Sequence, residues 1–414
     1  MDQDTTQSTF NQVLKQFPYD EFLRFIADFG VDKYIRKLFV IKLLYILIIA
    51  QISKIESLRE LAGKVKNDLA LQKIVKLDSI SASQLSRRLR EIKSTFWADT
   101  FIAVSKATLV KTAAFAYREP KENRIHIIDS STISLCLTKF RWADFRKTKS
   151  GIKLHQRLQI QNGGSYPDKA ILTPAKVSDK SQLDELVTTD PDALNVFDRG
   201  YVDYKKWDEY CNAGIRFVTR LKEGALVDVI EQHPIAGTNM TESTVTLGNP
   251  KTTGMKYQLR LIQTRDGEGN PIIILTNDFS MDVFEISEIY RLRWQVELFF
   301  KWLKQHLRVK RFFGTSDSAV YGQIWIALIT YCLLMTTRLT LPVKKTLLET
   351  MRLVADHLYS SYSVLIEILK KPPARTSRGR RKYGHSESFN LLIKQIEVDG
   401  TEFLNTVDVE LNYL

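Results

Sequence analysis

Ile-His-Ile-Ile-Asp, residues 125–129, is the stretch that decides how the centre of this chain is interpreted. Its apolar and β-branched residues predict a short strand that ends in Asp129. A second run of this kind, Leu194–Phe197, is followed by Asp198. Acidic side chains at strand ends of an α/β sheet occupy the edge where functional sites are usually built. One such acid is weak evidence because Asp is common where strands stop, but two justify a search for a third.

Strand-like and helical runs alternate around these two acids. Further strands are predicted at Leu154–Gln161, Ala170–Val177 and Ile215–Leu221, with helices at Ser181–Val187 and Tyr201–Ala213. Strands that first run together and then alternate with helices indicate an α/β domain with a mixed sheet.

Residues 224–281 have a different pattern, in which short strands predominate. Strands are predicted at Ser243–Leu247, Tyr257–Thr264 and Pro271–Thr276, and the last two flank a Gly-rich turn at residues 265–270. We interpret this segment as a β-rich insertion. From Asp282 onward the apolar spacing predicts helices.

The first 118 residues are predicted to be helical, because no Pro lies between Tyr19 and Arg118 and apolar residues recur at helical spacing. Ser81 and Gln84 form a capping-box pattern at the start of one helix. That helix carries arginines beside its apolar stripe, Arg87, Arg88 and Arg90. They predict either a solvated basic face or a helix that contacts DNA, and the sequence favours neither.

The composition is that of a globular protein with excess positive charge. With 44% hydrophobic and 26% charged residues, 18 Gly and 11 Pro, collagen-like and disordered classes are excluded. The net charge of +13 and a pI near 9.4 favour a polyanionic partner, nucleic acid before a membrane surface.

No export signal or membrane span is predicted. The first ten residues lack the pattern of a signal peptide. The apolar stretches Leu43–Ala50 and Ile324–Met335 fall short of the roughly 18 residues of a span and predict core helices. We expect a soluble, cytoplasmic protein whose cysteines are buried thiols, namely Cys136, Cys211 and Cys332.

A predicted helix at Glu285–Arg308 supplies the third acid. At about 100° per residue, its polar side chains gather on one stripe; they are Tyr290, Arg293, Glu297, Lys301 and Lys304. An ordinary amphipathic helix would explain this stripe. However, Trp294 and Trp302 border it, and exposed tryptophans are unusual on a surface without a function.

Asp129, Asp198 and Glu297 together predict a metal site. Three carboxylates within a few ångströms repel one another unless a cation neutralises them. Oxygen ligands suit Mg²⁺ or Mn²⁺, and two such ions about 3.5–4 Å apart can activate one oxygen and stabilise the leaving oxygen of a phosphodiester. The expected cofactor is therefore a pair of Mg²⁺ or Mn²⁺ ions.

The order of these residues resembles a known family. Tyr290, Arg293, Glu297 and Lys304 match the Y-R-E-K signature of the IS-four group of bacterial insertion-sequence transposases, within the DDE transposases. Residues 127–131 and 198–201 resemble the blocks around that family's two aspartates. The resemblance covers roughly residues 120–340, and the first hundred residues look like a helical leader.

The resemblance implies an RNase H-like catalytic core and metal-dependent cutting at transposon ends, followed by attack of the freed 3′-hydroxyl on target DNA. It implies that Asp129, Asp198 and Glu297 are the catalytic metal ligands. It also implies that Tyr290, Arg293 and Lys304 hold phosphates or terminal nucleotides. Trp294 matches a position that in some relatives stacks on a displaced base.

Two basic tracts fit a path for DNA. The tract Lys139–Arg157 is interleaved with aromatic residues, and the second tract is Lys370–Lys382. Arg220 and Lys222, which end the strand at 215–221, point toward the same edge. With Lys301 of the helix stripe, the further candidates for DNA contacts are Arg146, Lys147, Lys149, Arg220 and Lys222.

The predicted organisation has five segments: a helical DNA-binding domain at 1–118, a catalytic core at 119–223 and 282–340, the β-rich insertion at 224–281, and a basic helical region at 341–414. The partners are the double-stranded DNA of inverted-repeat ends and target, with a homodimer expected in the synaptic complex and no membrane. Two other functions stay open. They are a metal-dependent nuclease without strand transfer and an inactive DNA-binding regulator.

Overall fold

The fold is described from a computed structural model that covers residues 7–114, 124–146, 148–161, 164–238, 240–265 and 271–371. The chain divides into two compact units. Unit 1 comprises Met1–Tyr117, Ile133–Ser150 and Phe300–Leu414, and unit 2 comprises Arg118–Thr132 and Gly151–Phe299.

The helices lie at both ends of the chain and between the strands. In chain order they are α1 Thr9–Val13, α2 Tyr19–Phe29, α3 Val40–Ile52, α4 Leu58–Asn67, α5 Leu69–Val75, α6 Ala82–Glu91, α7 Ser94–Ala114, α8 Leu183–Leu186, α9 Tyr204–Asn212, α10 Val283–Leu292, α11 Trp294–His306, α12 Asp317–Thr340, α13 Leu347–Asp356 and α14 Tyr362–Lys370.

Two apolar helices form the centre of unit 1. α12 has the length and composition of a membrane span, but it is buried against α7 and α3. α3 is apolar on nearly all sides, as expected for a helix enclosed by others. The prediction that both apolar stretches are core helices is confirmed. The predicted capping box also forms, with Ser81 and Gln84 exchanging hydrogen bonds at the start of α6.

The strands are β1 Arg124–Leu135, β2 Asp144–Arg146, β3 Lys149–Gln161, β4 Gly164–Pro174, β5 Ala193–Phe197, β6 Phe217–Arg220, β7 Val227–Pro234, β8 Thr241–Leu247, β9 Leu259–Arg265 and β10 Pro271–Thr276. In unit 2 they form a sheet of order β3-β1-β5-β6-β10-β9-β8-β7, with β4 paired to β3. β1, β5 and β6 are parallel neighbours. The mixed sheet predicted from the sequence is confirmed, although most of its pairs are antiparallel.

Strands β7 to β10, from the segment interpreted as an insertion, extend this same sheet. β10 pairs antiparallel with β6, so these strands continue outward from the parallel centre. Residues 266–270 of the predicted turn lie outside the described residues. A cluster of aromatic side chains packs beside the central strands, including Phe197, Trp207 and Phe217.

The cysteines differ from the prediction. Cys332 is buried in α12, Cys211 is half-buried and Cys136 is exposed just after β1. The prediction was wrong for Cys136, because a small thiol carries too little apolar surface to determine its own burial.

Candidate active site

Asp129 and Asp198 follow directly on paired residues of two neighbouring strands. β1 and β5 pair in parallel, and the last pair of their register joins Ile128 to Phe197. Both residues are buried, and Asp129 and Asp198 follow them directly. Neighbouring strands lie about 4.8 Å apart, so the two side chains originate close together. β1 itself continues to Leu135, so Asp129 stands where the pairing with β5 ends and not at the predicted end of the strand.

The predicted single helix that carries Glu297 is broken in two. α10 ends at Leu292 and α11 begins at Trp294. At the break, the Arg293 N–H donates to the Tyr290 carbonyl at 3.1 Å. The next turn is also closed by a bond across three residues, as in a 3₁₀ turn. The residues on both sides keep helical spacing, and for this reason the sequence did not predict the break.

Arg293, at this break, joins two of the three acids. Its Nη2 donates to Glu297 Oε1 at 2.7 Å, and its Nη1 lies 3.5 Å from Asp129 Oδ2. All three side chains are only 17% to 21% exposed. Burial alone would lower the pKa of Arg293, but the charges of Glu297 and Asp129 raise it above its usual value. The arginine therefore stays charged and neutralises the acids around it.

The third acid, Asp198, is close enough for its charge to act on Asp129 and Glu297. Burial raises the pKa of Asp129 to about 7, although the charge of Arg293 and a hydrogen bond from the Ser130 N–H oppose this. Burial also raises the pKa of Glu297, and the charge of Arg293 opposes it. The charge of Asp198 raises the pKa of both other acids. The three carboxyl groups thus share one electrostatic environment.

This set of oxygen ligands fits a divalent cation in its chemistry. Carboxylates gathered at one place repel one another and are stabilised by positive charge, and Mg²⁺ and Mn²⁺ prefer such ligands. As the side chains stand, no three His, Cys, Asp or Glu residues in the described part of the chain are close enough to form a metal site. Arg293 contacts Asp129 and Glu297, so an ion held by all three acids requires this arginine to shift.

A fourth acid, which the sequence did not reveal, supports Asp129 through Ser130. The Ser130 N–H donates to Asp129 Oδ1 at 2.7 Å, and its hydroxyl donates to Asp179 Oδ1, also at 2.7 Å. Lys153 forms an ion pair with Asp179 at 3.1 Å, and His155 Nδ1 lies 3.4 Å from the same oxygen. Burial lowers the pKa of His155 to about 4, so its ring is neutral near pH 7. Asp179 lies 49 residues after Ser130, and no local pattern connects them.

Two further predicted residues lie beside the acids in unit 2. Burial raises the pKa of Tyr290, and the charge of Asp198 raises it further. The charges of Arg293 and Arg220 oppose this shift. Tyr290 is therefore close to all three charges. Arg220 is half-buried at the end of β6, whereas Lys222 is exposed. Trp294 is half-buried at the start of α11.

The later part of α11 belongs to unit 1 and is more buried than predicted. Lys301 is 3% exposed, and its Nζ has no hydrogen-bond partner among the described residues. Burial lowers the pKa of Lys301 to about 8. Burial and the charge of Lys310 together lower the pKa of Lys304 to about 8. Trp302 is fully buried. The inference that it borders an exposed stripe was wrong, because both faces of this helix are covered.

The basic tract after β1 is described only in part. Lys149 is exposed, whereas the side chain of Arg146 and all of Lys147 lie outside the described residues, as do residues 372–382 of the second tract. The tract's aromatic residues pack within unit 1. Trp142 Nε1 donates to the Thr315 carbonyl at 2.7 Å, and the Phe140 ring lies 6.2 Å from that of Phe312. These two rings are therefore core contacts and not free stacking surfaces.

Comparisons with known proteins match two parts of this chain to family models. Residues 120–333 match the family model described as "Transposase DDE domain", and residues 5–73 match a domain of unknown function, DUF4372. In a search of solved structures, a piggyBac transposase synaptic complex with hairpin DNA aligns over 92% of this chain and 88% of its own. Its TM-score of 0.41 and 11% identity are too low to establish a shared fold.

Curated relatives are transposases of bacterial elements. A putative transposase of Sinorhizobium fredii is 30% identical over 64% of this chain and 75% of the relative. A probable transposase for insertion sequence element IS5377 of Geobacillus stearothermophilus is 31% identical over 52% of this chain and 57% of the relative. The DDE family model covers more than half of the chain and includes all three acids. The chain therefore belongs to the family of transposases with a DDE domain.

Proposed function

We propose that this chain cleaves the ends of a transposon with two divalent metal ions and joins the freed 3′-hydroxyl ends to target DNA. The observation that carries the proposal is that Arg293 contacts both Asp129 and Glu297, while Asp198 follows the strand paired with that of Asp129. Bound between these carboxylates, Mg²⁺ or Mn²⁺ would activate the attacking oxygen and stabilise the leaving oxygen.

The surrounding residues hold the DNA in this proposal. Arg293 and Tyr290 bind oxygens of the phosphate that is cut, and Arg220 adds charge beside them. In cleavage, a water oxygen attacks phosphorus, the bond to O3′ breaks, and O3′ takes up a proton. In joining, that 3′-hydroxyl loses its proton, attacks a target phosphate and releases a 3′-hydroxyl of the target strand. Lys304 is half-buried and contacts the same DNA, whereas Lys301 is too buried to reach it.

The proposal includes the finer classification. It includes membership of the IS-four group, supported by the Y-R-E-K residues, and an RNase H-like core around β1, β5 and β6. A homodimer would hold two ends, since joining both requires two active sites. The protein would act in the bacterial cytoplasm, on the nucleoid when bound to DNA.

The test uses the DNA that flanks the gene. Short inverted repeats bracketing it are placed on a duplex and incubated with the full chain, Mg²⁺ and a target plasmid. Cleavage at the repeats with joined products supports the proposal. Cutting without joining would support the simple nuclease, and binding without cutting, even in Mn²⁺, would support the inactive regulator.

Ser130 and Asp179 give a prediction about the support of Asp129. Ser130→Ala and Asp179→Asn are expected to lower the cleavage rate by about 10- to 100-fold, because partners that orient a metal ligand typically contribute that much. Ser130→Thr, which keeps the hydroxyl, should retain most activity. Asp184→Asn removes an acid that pairs with Lys206, apart from Asp129, and serves as the control. A Ser130→Ala rate equal to that of the control would exclude the supporting role.

Trp294 gives a prediction about the DNA end. If its ring stacks on a displaced base, Trp294→Ala should slow cleavage of fully paired ends more than of ends already unpaired, because stacking offsets the cost of unpairing. The comparison uses both substrates with the wild type and the variant. An equal defect on the two substrates would make Trp294 a packing residue.

A further inference from the structure

The loop between α2 and α3, residues 31–39, presents a concentrated positive surface on unit 1. Lys33, Arg36 and Lys37 are exposed, and Tyr34 is 89% exposed. The acid of the loop, Asp32, is turned inward. We call residues 31–39 the basic loop. Its polar sequence is that of an ordinary exposed loop. Its backbone, however, is held by contacts with a buried side chain.

One buried arginine fixes both ends of the basic loop. Arg88 of α6 is 6% exposed and donates to the carbonyls of Val31 and Leu38, each at 3.1 Å. It also pairs with Asp32 Oδ1 at 2.9 Å, and that oxygen accepts the Val40 N–H at 2.8 Å. Arg88 was one of the arginines considered for an exposed basic face. The structure gives it the opposite role, because its guanidinium is buried and holds this loop, with a further ion pair to Glu91 at 3.6 Å.

Tyr34 adds a second, independent observation. Its φ of 65° lies in the left-handed region, which side chains other than Gly, Asn and Asp rarely adopt. Its ring is nevertheless exposed, with the Lys33 ammonium 5.1 Å from the ring centre. Strained backbone persists where the surrounding structure holds it, and it clusters at ligand-binding sites and switch regions.

A neighbouring loop enlarges the positive surface. Lys37 Nζ donates to the Ser79 hydroxyl at 3.3 Å, and Lys42 Nζ donates to the Lys76 carbonyl at 2.6 Å. The side chain of Lys76 is exposed, so its charge is added next to those of the basic loop. Asp78 is an exposed acid here and offsets one of these charges. The surface as a whole is cationic and has a fixed shape.

We propose that the basic loop binds the phosphate backbone of duplex DNA, with Tyr34 packing against a sugar or base edge. The proposal rests on the proposed function, because it supplies an anchor for the DNA that the acids cut. Ammonium and guanidinium groups on a rigid loop neutralise phosphates without reading sequence. The basic loop would therefore contribute affinity and orientation, and end recognition would come from other contacts.

The test measures DNA binding by the full chain over a range of salt concentrations. The triple variant Lys33→Ala, Arg36→Ala, Lys37→Ala should lower the slope of log K against log salt by roughly 0.9 for each phosphate that is no longer neutralised. At 0.1 M salt, the removal of two or three such phosphate interactions corresponds to binding on the order of a hundredfold weaker. The control replaces other exposed lysines of unit 1 with alanine, Lys66, Lys93 and Lys106, and so removes the same charge. An equal slope for the two triple variants would overturn the proposal.

Tyr34→Asn separates binding from stability. Asn tolerates the left-handed conformation, so this variant should melt at the wild-type temperature or higher, yet bind DNA more weakly. Unchanged DNA binding by this variant would exclude Tyr34 from the DNA-binding surface. DNA binding is the readout for the loop variants, and cleavage by the wild type is measured separately. Failure of the loop variants alone therefore leaves the catalytic proposal standing, whereas absence of cleavage by the wild type would contradict the catalytic proposal itself.

Discussion

Asp129→Asn, Asp198→Asn and Glu297→Gln are each expected to reduce DNA cleavage by on the order of a thousandfold. Each change removes one ligand charge from a site whose metal ions supply several kcal/mol of transition-state stabilisation, and each 1.36 kcal/mol is tenfold in rate. Folding and DNA binding should be retained, because the substitutions keep the size of the side chain. The rate is measured on a duplex that carries the transposon end.

The control for this series is Asp184→Asn, because that acid pairs with Lys206 and takes no part in the cluster. Its rate should match the wild type. A near wild-type rate for any one of the three site variants would exclude that residue from the site. If all three variants cleaved normally, the catalytic centre would lie elsewhere in the chain.

Arg293→Met is expected to lower the free energy of unfolding of the metal-free protein by about 3 kcal/mol. Removing one partner of a buried ion pair leaves uncompensated charge, here on Asp129 and Glu297. Mn²⁺ should then raise the melting temperature of the variant more than that of the wild type, because the ion no longer competes with the arginine. The measurement is thermal unfolding with and without Mn²⁺.

Arg291 provides the matched control for this prediction, two residues away. Its side chain is 70% exposed and pairs with Glu288 at 3.1 Å on the surface. Exposed pairs contribute about 0–1 kcal/mol, so Arg291→Met should change little. Equal stability losses and equal Mn²⁺ effects for the two variants would contradict the role given to Arg293.

The sequence pointed to the strands and the helical segment that carry the three candidate acids. Apolar runs ending in Asp129 and Asp198 predicted strands, and the structure pairs these two strands in parallel. The helical spacing of Tyr290, Arg293 and Glu297 predicted one stripe of a single helix, and the structure divides that helix at Arg293 between α10 and α11. Each inference used a repeat of two or of 3.6 residues, which the local backbone imposes.

The rest depends on contacts between distant residues. The break at Arg293 serves an ion pair with Asp129, 164 positions away, and leaves no mark on the helical pattern. Asp179 and Ser130 meet across the sheet for the same kind of reason. Arg88 and Lys301 were predicted on polar faces, yet both are buried. Helical periodicity shows which residues share a face, but not whether another element covers that face.

The central claim is that Asp129, Asp198 and Glu297 hold the ions that cut DNA. Anomalous diffraction from crystals of the full chain with end DNA and Mn²⁺ tests it most directly. We predict two peaks about 3.5–4 Å apart, within about 2.1 Å of oxygens from these three carboxylates, with Arg293 turned toward a phosphate. Peaks bound by other residues, or Arg293 still paired with Glu297 beside a bound phosphate, would contradict the account.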